Sequence, residues 1–82
     1  MAARLRSLSG RDVIRILNGF GFDVVATRGS HAKLRRTTPS GERQILTIPL
    51  HKDLAPGTLH GIYRQTLKFV AAEQLRRHFF HE

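Results

Sequence analysis

Between Phe22 and Leu50 the chain runs through three stretches of alternating side chains separated by two short turn signals. No other feature of the sequence constrains the fold as tightly. Phe22–Arg28 sets Phe22, Val24 and Ala26 against Asp23, Val25 and Thr27. His31–Thr37 sets Ala32 and Leu34 against His31, Lys33 and Arg35, and Arg43–Leu50 puts Leu46, Ile48 and Leu50 on one side. A side-chain period of two belongs to β-strands. The links, Gly29-Ser30 and Pro39-Ser40-Gly41, are turn sequences far too short for a crossover connection. The three strands must therefore form an antiparallel meander. Pro49, near the end of the third, suits an edge strand or a strand terminus because it lacks a backbone donor.

A sheet with one apolar face needs a cover, and two helical patterns flank the meander. Ser9 reads as an N-cap with Asp12 at the third helical position. Val13, Ile16, Leu17 and Phe20 then fall at helical spacing, and Gly19 and Gly21 end the run, which predicts a helix over Gly10–Gly19. Pro56 suits the first turn of a second helix, which continues through Leu59, Ile62, Tyr63, Leu67 and Val70. After Val70 the apolar phase slips to Leu75 and Phe79, which predicts a bend or a short third helix starting near Val70–Ala72, with a fraying tail over His78–Glu82. The expected class is α+β: a two-layer α-β-β-β-α domain with an antiparallel three-stranded sheet. Residues 1–8 read as an N-terminal extension, 9–70 as the core and 71–82 as a C-terminal helix or tail. Val13, Ile16, Leu17, Leu59, Ile62 and Tyr63 are the expected helix contributions to the core.

At 82 residues there is room for one domain only. Lys and Arg number 14 against 6 acids, a net charge of +8, and 11 of the 14 are Arg. Such a charge destabilises a compact chain by self-repulsion and points to a polyanionic partner. Arg adds a planar fork suited to phosphate oxygens. Cysteine is absent, which excludes a disulfide framework and Cys-based zinc modules. The N-terminal residues lack the apolar run of a secretion signal and no stretch is long enough to span a membrane, so a cytoplasmic protein is expected. The five histidines show no HExxH spacing and no acidic cluster, and no P-loop, GxGxxG or GxSxG motif occurs. No metal and no small-molecule cofactor are expected.

His31 is the most informative residue. It follows a Gly-Ser turn whose backbone N–H groups suit an anion, and it shares a strand face with Lys33 and Arg35. Imidazole exchanges a proton near neutral pH. Those parts suit metal-free RNA cleavage, in which a base takes the ribose 2′-OH proton and cations stabilise the phosphorane. Arg28, Gly29, Ser30, Lys33, Arg35 and Arg36 are the candidate RNA-binding residues. His51 is the candidate second acid or base, with Lys33 and Tyr63 as alternatives.

The chain resembles the HicA family of bacterial toxins, small mRNA interferases paired with HicB antitoxins. The likeness is carried by Ser9-Gly10-Arg11-Asp12-Val13-Ile14, Gly21-Phe22, Arg28-Gly29-Ser30-His31 with Lys33, Thr47-Ile48-Pro49 followed by His51, Leu54-Ala55-Pro56-Gly57-Thr58-Leu59, and Arg64-Gln65. The resemblance implies a double-stranded-RNA-binding-like fold, a ribonuclease that needs no metal, a catalytic histidine at His31, and an antitoxin that masks the site. Many relatives carry a second His directly after the first, where this chain has Ala32. The competing expectation is a non-catalytic double-stranded-RNA-binding module. Against it stands Pro56-Gly57-Thr58-Leu59-His60, which lacks the lysines such modules place at the start of their second helix. A third reading is an adaptor whose charge serves an acidic protein.

Overall fold

The structure, a computed structural model, describes residues 3–81. Met1, Ala2 and Glu82, part of the expected extension and tail, lie outside them. In chain order the elements are β1 (Arg4–Leu5), α1 (Gly10–Asn18), β2 (Asp23–Arg28), β3 (His31–Thr37), β4 (Arg43–Pro49), α2 (Pro56–Thr66), α3 (Ala72–Phe79) and β5 (Phe80–His81). The α+β class and the three-stranded antiparallel meander are as the alternation predicts, with strand order β2-β3-β4.

A full capping box opens α1. The Asp12 amide donates to the Ser9 hydroxyl at 3.0 Å, and the Ser9 amide donates to the Asp12 carboxylate at 2.9 Å. The helix closes when the Phe22 amide reaches back to the Leu17 carbonyl at 3.0 Å, with Gly21 at φ +90° in the left-handed region. Gly10 is needed for a different reason. A Cβ there would run into the Pro49 carbonyl, so the start of α1 lies against the end of β4. The Gly10 amide then donates to the His51 carbonyl at 2.9 Å.

The helices cover one face of the sheet. Val13 and Leu17 of α1, Leu59 and Ile62 of α2, and Leu75 and Phe79 of α3 are buried against Ala32, Leu34, Leu46 and Ile48. Ile16 and Tyr63, expected in the core, are half-buried at its margin. The third helix exists, and its Leu75–Phe79 stripe is the phase shift seen in the sequence. Residues 78–81 do not fray. Phe80 and His81 pair with Leu5 and Arg4, and the Arg6 amide donates to the Phe79 carbonyl at 2.8 Å. The N-terminal extension is thus the second strand of a small ribbon that pins α3. Hydropathy gave no hint of it, because two-residue strands carry no period.

The helix layer buries Ala32 and Leu34 of β3 and Leu46 and Ile48 of β4, whereas every residue of β2 is exposed. The β2–β3 register also breaks. Val24 pairs with Leu34, but Ala26 pairs with Lys33, so Val25 is an extra residue in a β-bulge. Simple alternation places Ala26 with Val24 and Phe22. The bulge instead turns Ala26 and Arg28 to the opposite, uncovered face.

Candidate active site and RNA interface

The uncovered face is built around β3. His31 stands between Arg28 on β2 and Pro49 on β4, Lys33 between Ala26 and Thr47, and Arg35 between Asp23 and Ile45. Ala26, Arg28, His31, Lys33 and Thr47 line one cavity of about 370 Å3. His31 and the two nearest cations therefore share a single concavity. Arg28 reaches it only because of the Val25 bulge, a feature that bends and twists strands and is common beside active sites.

The turn leading into His31 is a two-residue hairpin with Gly29 at φ +57°. Glycine at the first central position matches the type II′ turn that suits the twist of paired strands. Nothing lies within 4 Å of where a Gly29 side chain would start, so the turn is open to an approaching ligand. The Ser30 carbonyl accepts from the Leu50 amide at 2.6 Å, which ties the turn to the end of β4. His51 is exposed just beyond that point and is not among the residues lining the cavity.

The site is electropositive by subtraction. Among the described residues the only ion pair is Arg15–Asp12, at 3.5 Å. Arg28, Lys33 and Arg35 are exposed and carry no carboxylate partner. Asp12 is a different case. Its carboxyl is held below its ordinary value of 3.8, chiefly by the Ser9 backbone and side-chain hydrogen bonds, with a smaller contribution from Arg15.

Two candidates stand elsewhere than the sequence suggested. Arg36 lies on the covered face, paired with Gln44. Its Nε donates to Gln44 Oε1 at 2.7 Å, Nη1 to the Phe20 carbonyl at 3.0 Å and Nη2 to the Phe69 carbonyl at 2.8 Å. The guanidinium also sits 4.7 Å from the centre of the Phe22 ring. Those bonds occupy the fork that a phosphate would need. The signal was present, since Arg36 has the same strand parity as Ala32 and Leu34. Tyr63 packs between Phe79 and Phe80 at ring distances of 5.3 and 5.1 Å, in the helix layer, and does not line the cavity. Thr47 and Ala26 are the lining residues that sequence reasoning missed. Thr47 could have been found from its alternation with Leu46 and Ile48; Ala26 could not, because no sequence signal marks the bulge.

The family model for the HicA toxin of bacterial toxin–antitoxin systems matches residues 10–67. The chain belongs to the HicA toxin family. As a HicA toxin it is one half of a toxin–antitoxin pair, which implies an antitoxin partner. The comparison with curated proteins finds no match, and neither does the comparison with solved structures. The matched span contains the whole cavity, from α1 to the end of α2. No helix of the described residues is long and apolar enough to cross a membrane.

Proposed function

We propose that this HicA toxin is an endoribonuclease that cleaves RNA without a metal ion, with His31 as general acid or base. The observation that carries the reading is the shared cavity. It gathers a histidine and two unpaired cations, Arg28 and Lys33, on an open sheet face of a HicA-family chain. In the proposed step the neutral His31 imidazole takes the proton of a ribose 2′-OH. The 2′ oxygen forms a bond to the adjacent phosphorus, and the bond from phosphorus to the 5′ oxygen breaks. A protonated group returns a proton to that oxygen; His51, in the loop after β4, is the candidate. Arg28, Lys33 and Arg35 hold the phosphates and stabilise the charge of the phosphorane, and Gly29-Ser30 lets the backbone approach the anion. Arg36 is not part of this machinery.

The antitoxin, on this reading, offers an acidic surface to the same cations, so that binding and inhibition share a site. The test of the enzymatic reading is cleavage of an unstructured RNA in EDTA by the purified chain, beside His31→Ala and an all-deoxy strand. Cutting by the wild type alone, with both controls inert, supports it. Binding without cutting would reassign the chain to a non-catalytic RNA-binding module.

A further inference from the structure

The span matched by the family model ends at residue 67, yet the fold continues. Helix α3 inserts Leu75 and Phe79 into the core, and where it runs beside the C-terminal half of α1 a groove of about 560 Å3 opens. Ile16, Phe20 and His78 line it as half-buried side chains, and Arg15, Gln74 and Arg77 line it as exposed ones. The volume lies within the range, about 300–1,000 Å3, usual for small-ligand sites.

Three observations define what such a groove would take. First, its lining includes two arginines and a histidine but no acid. Of the carboxylates on the two helices, Asp12 is bound to Ser9 by the capping box and pairs only with Arg15, and Glu73 makes no ion pair among the described residues. Second, the Phe20 and His78 rings meet edge to face at 5.5 Å and 89°, so the groove contains a fixed aromatic corner. Third, the Gln74 amide stands beside that corner with both a donor and an acceptor free of any protein partner among the described residues. Cationic forks, an aromatic surface and an amide together match one nucleotide unit: phosphate on arginine, base on the ring, base edge on the amide.

The groove lies at the Arg35 end of β3, in the helix layer on the other side of the sheet from the proposed cleavage face. Arg35 is on the open side of β3, and the next residue, Arg36, donates to the carbonyl of Phe20 on the groove. From His31 to Arg35 is four residues of strand, about 13 Å. An RNA that lies along His31, Lys33 and Arg35 must turn around the sheet past Arg36 to enter the groove.

We propose that the α1–α3 groove is a second RNA-contacting site, holding a nucleotide of the substrate outside the pair at the scissile bond through Arg15 and Arg77. The proposal rests on the ribonuclease reading. An acidic protein segment fits the charge but leaves the aromatic corner and Gln74 without use, so RNA is the occupant the observations favour.

The test is an equilibrium titration in the His31→Ala background, so that RNA stays intact, with a fluorescent twenty-nucleotide oligouridine and a five-nucleotide one. Arg15→Gln with Arg77→Gln removes both forks at exposed helix positions, and a melting curve checks that the variant folds. The dependence of log affinity on log salt for the long RNA should flatten by about 1.4, or 0.7 for each lost phosphate contact. The advantage of the long RNA over the short one should shrink about tenfold. An unchanged slope and unchanged length advantage, in a folded variant whose parent binds RNA, would overturn the groove alone. Failure of the parent to bind either RNA would overturn the ribonuclease reading and the groove with it. Loss of polyglutamate binding with RNA binding intact would give the groove to an acidic protein and also overturn the proposal.

Discussion

Two adjacent arginines on β3 should behave in opposite ways when replaced. Arg36→Ala removes three hydrogen bonds of 2.7–3.0 Å, two of them to the carbonyls of Phe20 and Phe69, which join the α1–β2 connection to the α2–α3 connection. It also removes a cation from the Phe22 ring and leaves Gln44, which is only 8% exposed, short of a donor. Hydrogen bonds from a charged donor contribute about 1.5–3 kcal/mol each, but these three share one group and are partly exposed, so they do not add. A loss of about 2–4 kcal/mol is expected. For a domain of this size that corresponds to a fall in melting temperature of roughly 10–25 °C. Arg36→Lys should recover little, because an ammonium cannot span three acceptors in one plane. Arg35→Ala, one residue away and exposed, should change stability by less than about 0.5 kcal/mol while weakening RNA binding. Thermal unfolding followed by circular dichroism, with RNA titration of each variant, reads both effects. If Arg36→Ala melted like the wild type and lost RNA affinity, the assignment of Arg36 to the interior would be refuted.

Three further outcomes are expected. Gly10→Ala should destabilise by about 1–3 kcal/mol, because the new methyl drives the end of β4 away from α1; urea unfolding measures it. Phe79→Ala should cost about 3–5 kcal/mol although it lies outside the matched family span, since the side chain is fully buried; a melting point within a few degrees of wild type would show that α3 is dispensable. The Asp12 carboxyl is held below 3.8 in the folded chain, so its stabilising contribution is complete above that pH and is lost as pH falls through the lower folded value. Asp12→Asn should therefore flatten the fall of stability below pH 4, and an unchanged acid limb would contradict the capping-box account.

Most of the fold was legible because it rests on local periods. Ser9 and Asp12 announced α1, three runs of alternation announced the meander, and the shift to Leu75 and Phe79 announced α3. What escaped was set by long-range geometry. The ribbon of Arg4–Leu5 with Phe80–His81 joins opposite ends of the sequence and has no period to detect. The Val25 bulge is one unpaired residue, yet it decides that Arg28 faces His31. At the site, the parity of β3 alone separated Lys33 and Arg35 from Arg36. The reading of Arg36 as a phosphate ligand followed from its charge and ignored that parity. His31 stood out because a turn signal, a strand start and two same-face cations coincide there.

The most direct test of the central claim is the chemistry of the RNA ends. Attack by a 2′ oxygen under His31 catalysis leaves a 2′,3′-cyclic phosphate on one fragment and a 5′-hydroxyl on the other. The wild-type chain in EDTA should yield those ends, and a folded His31→Ala chain should still bind the RNA and leave it intact. Fragments with 5′-phosphate ends, or cutting by His31→Ala at the wild-type rate, would contradict it.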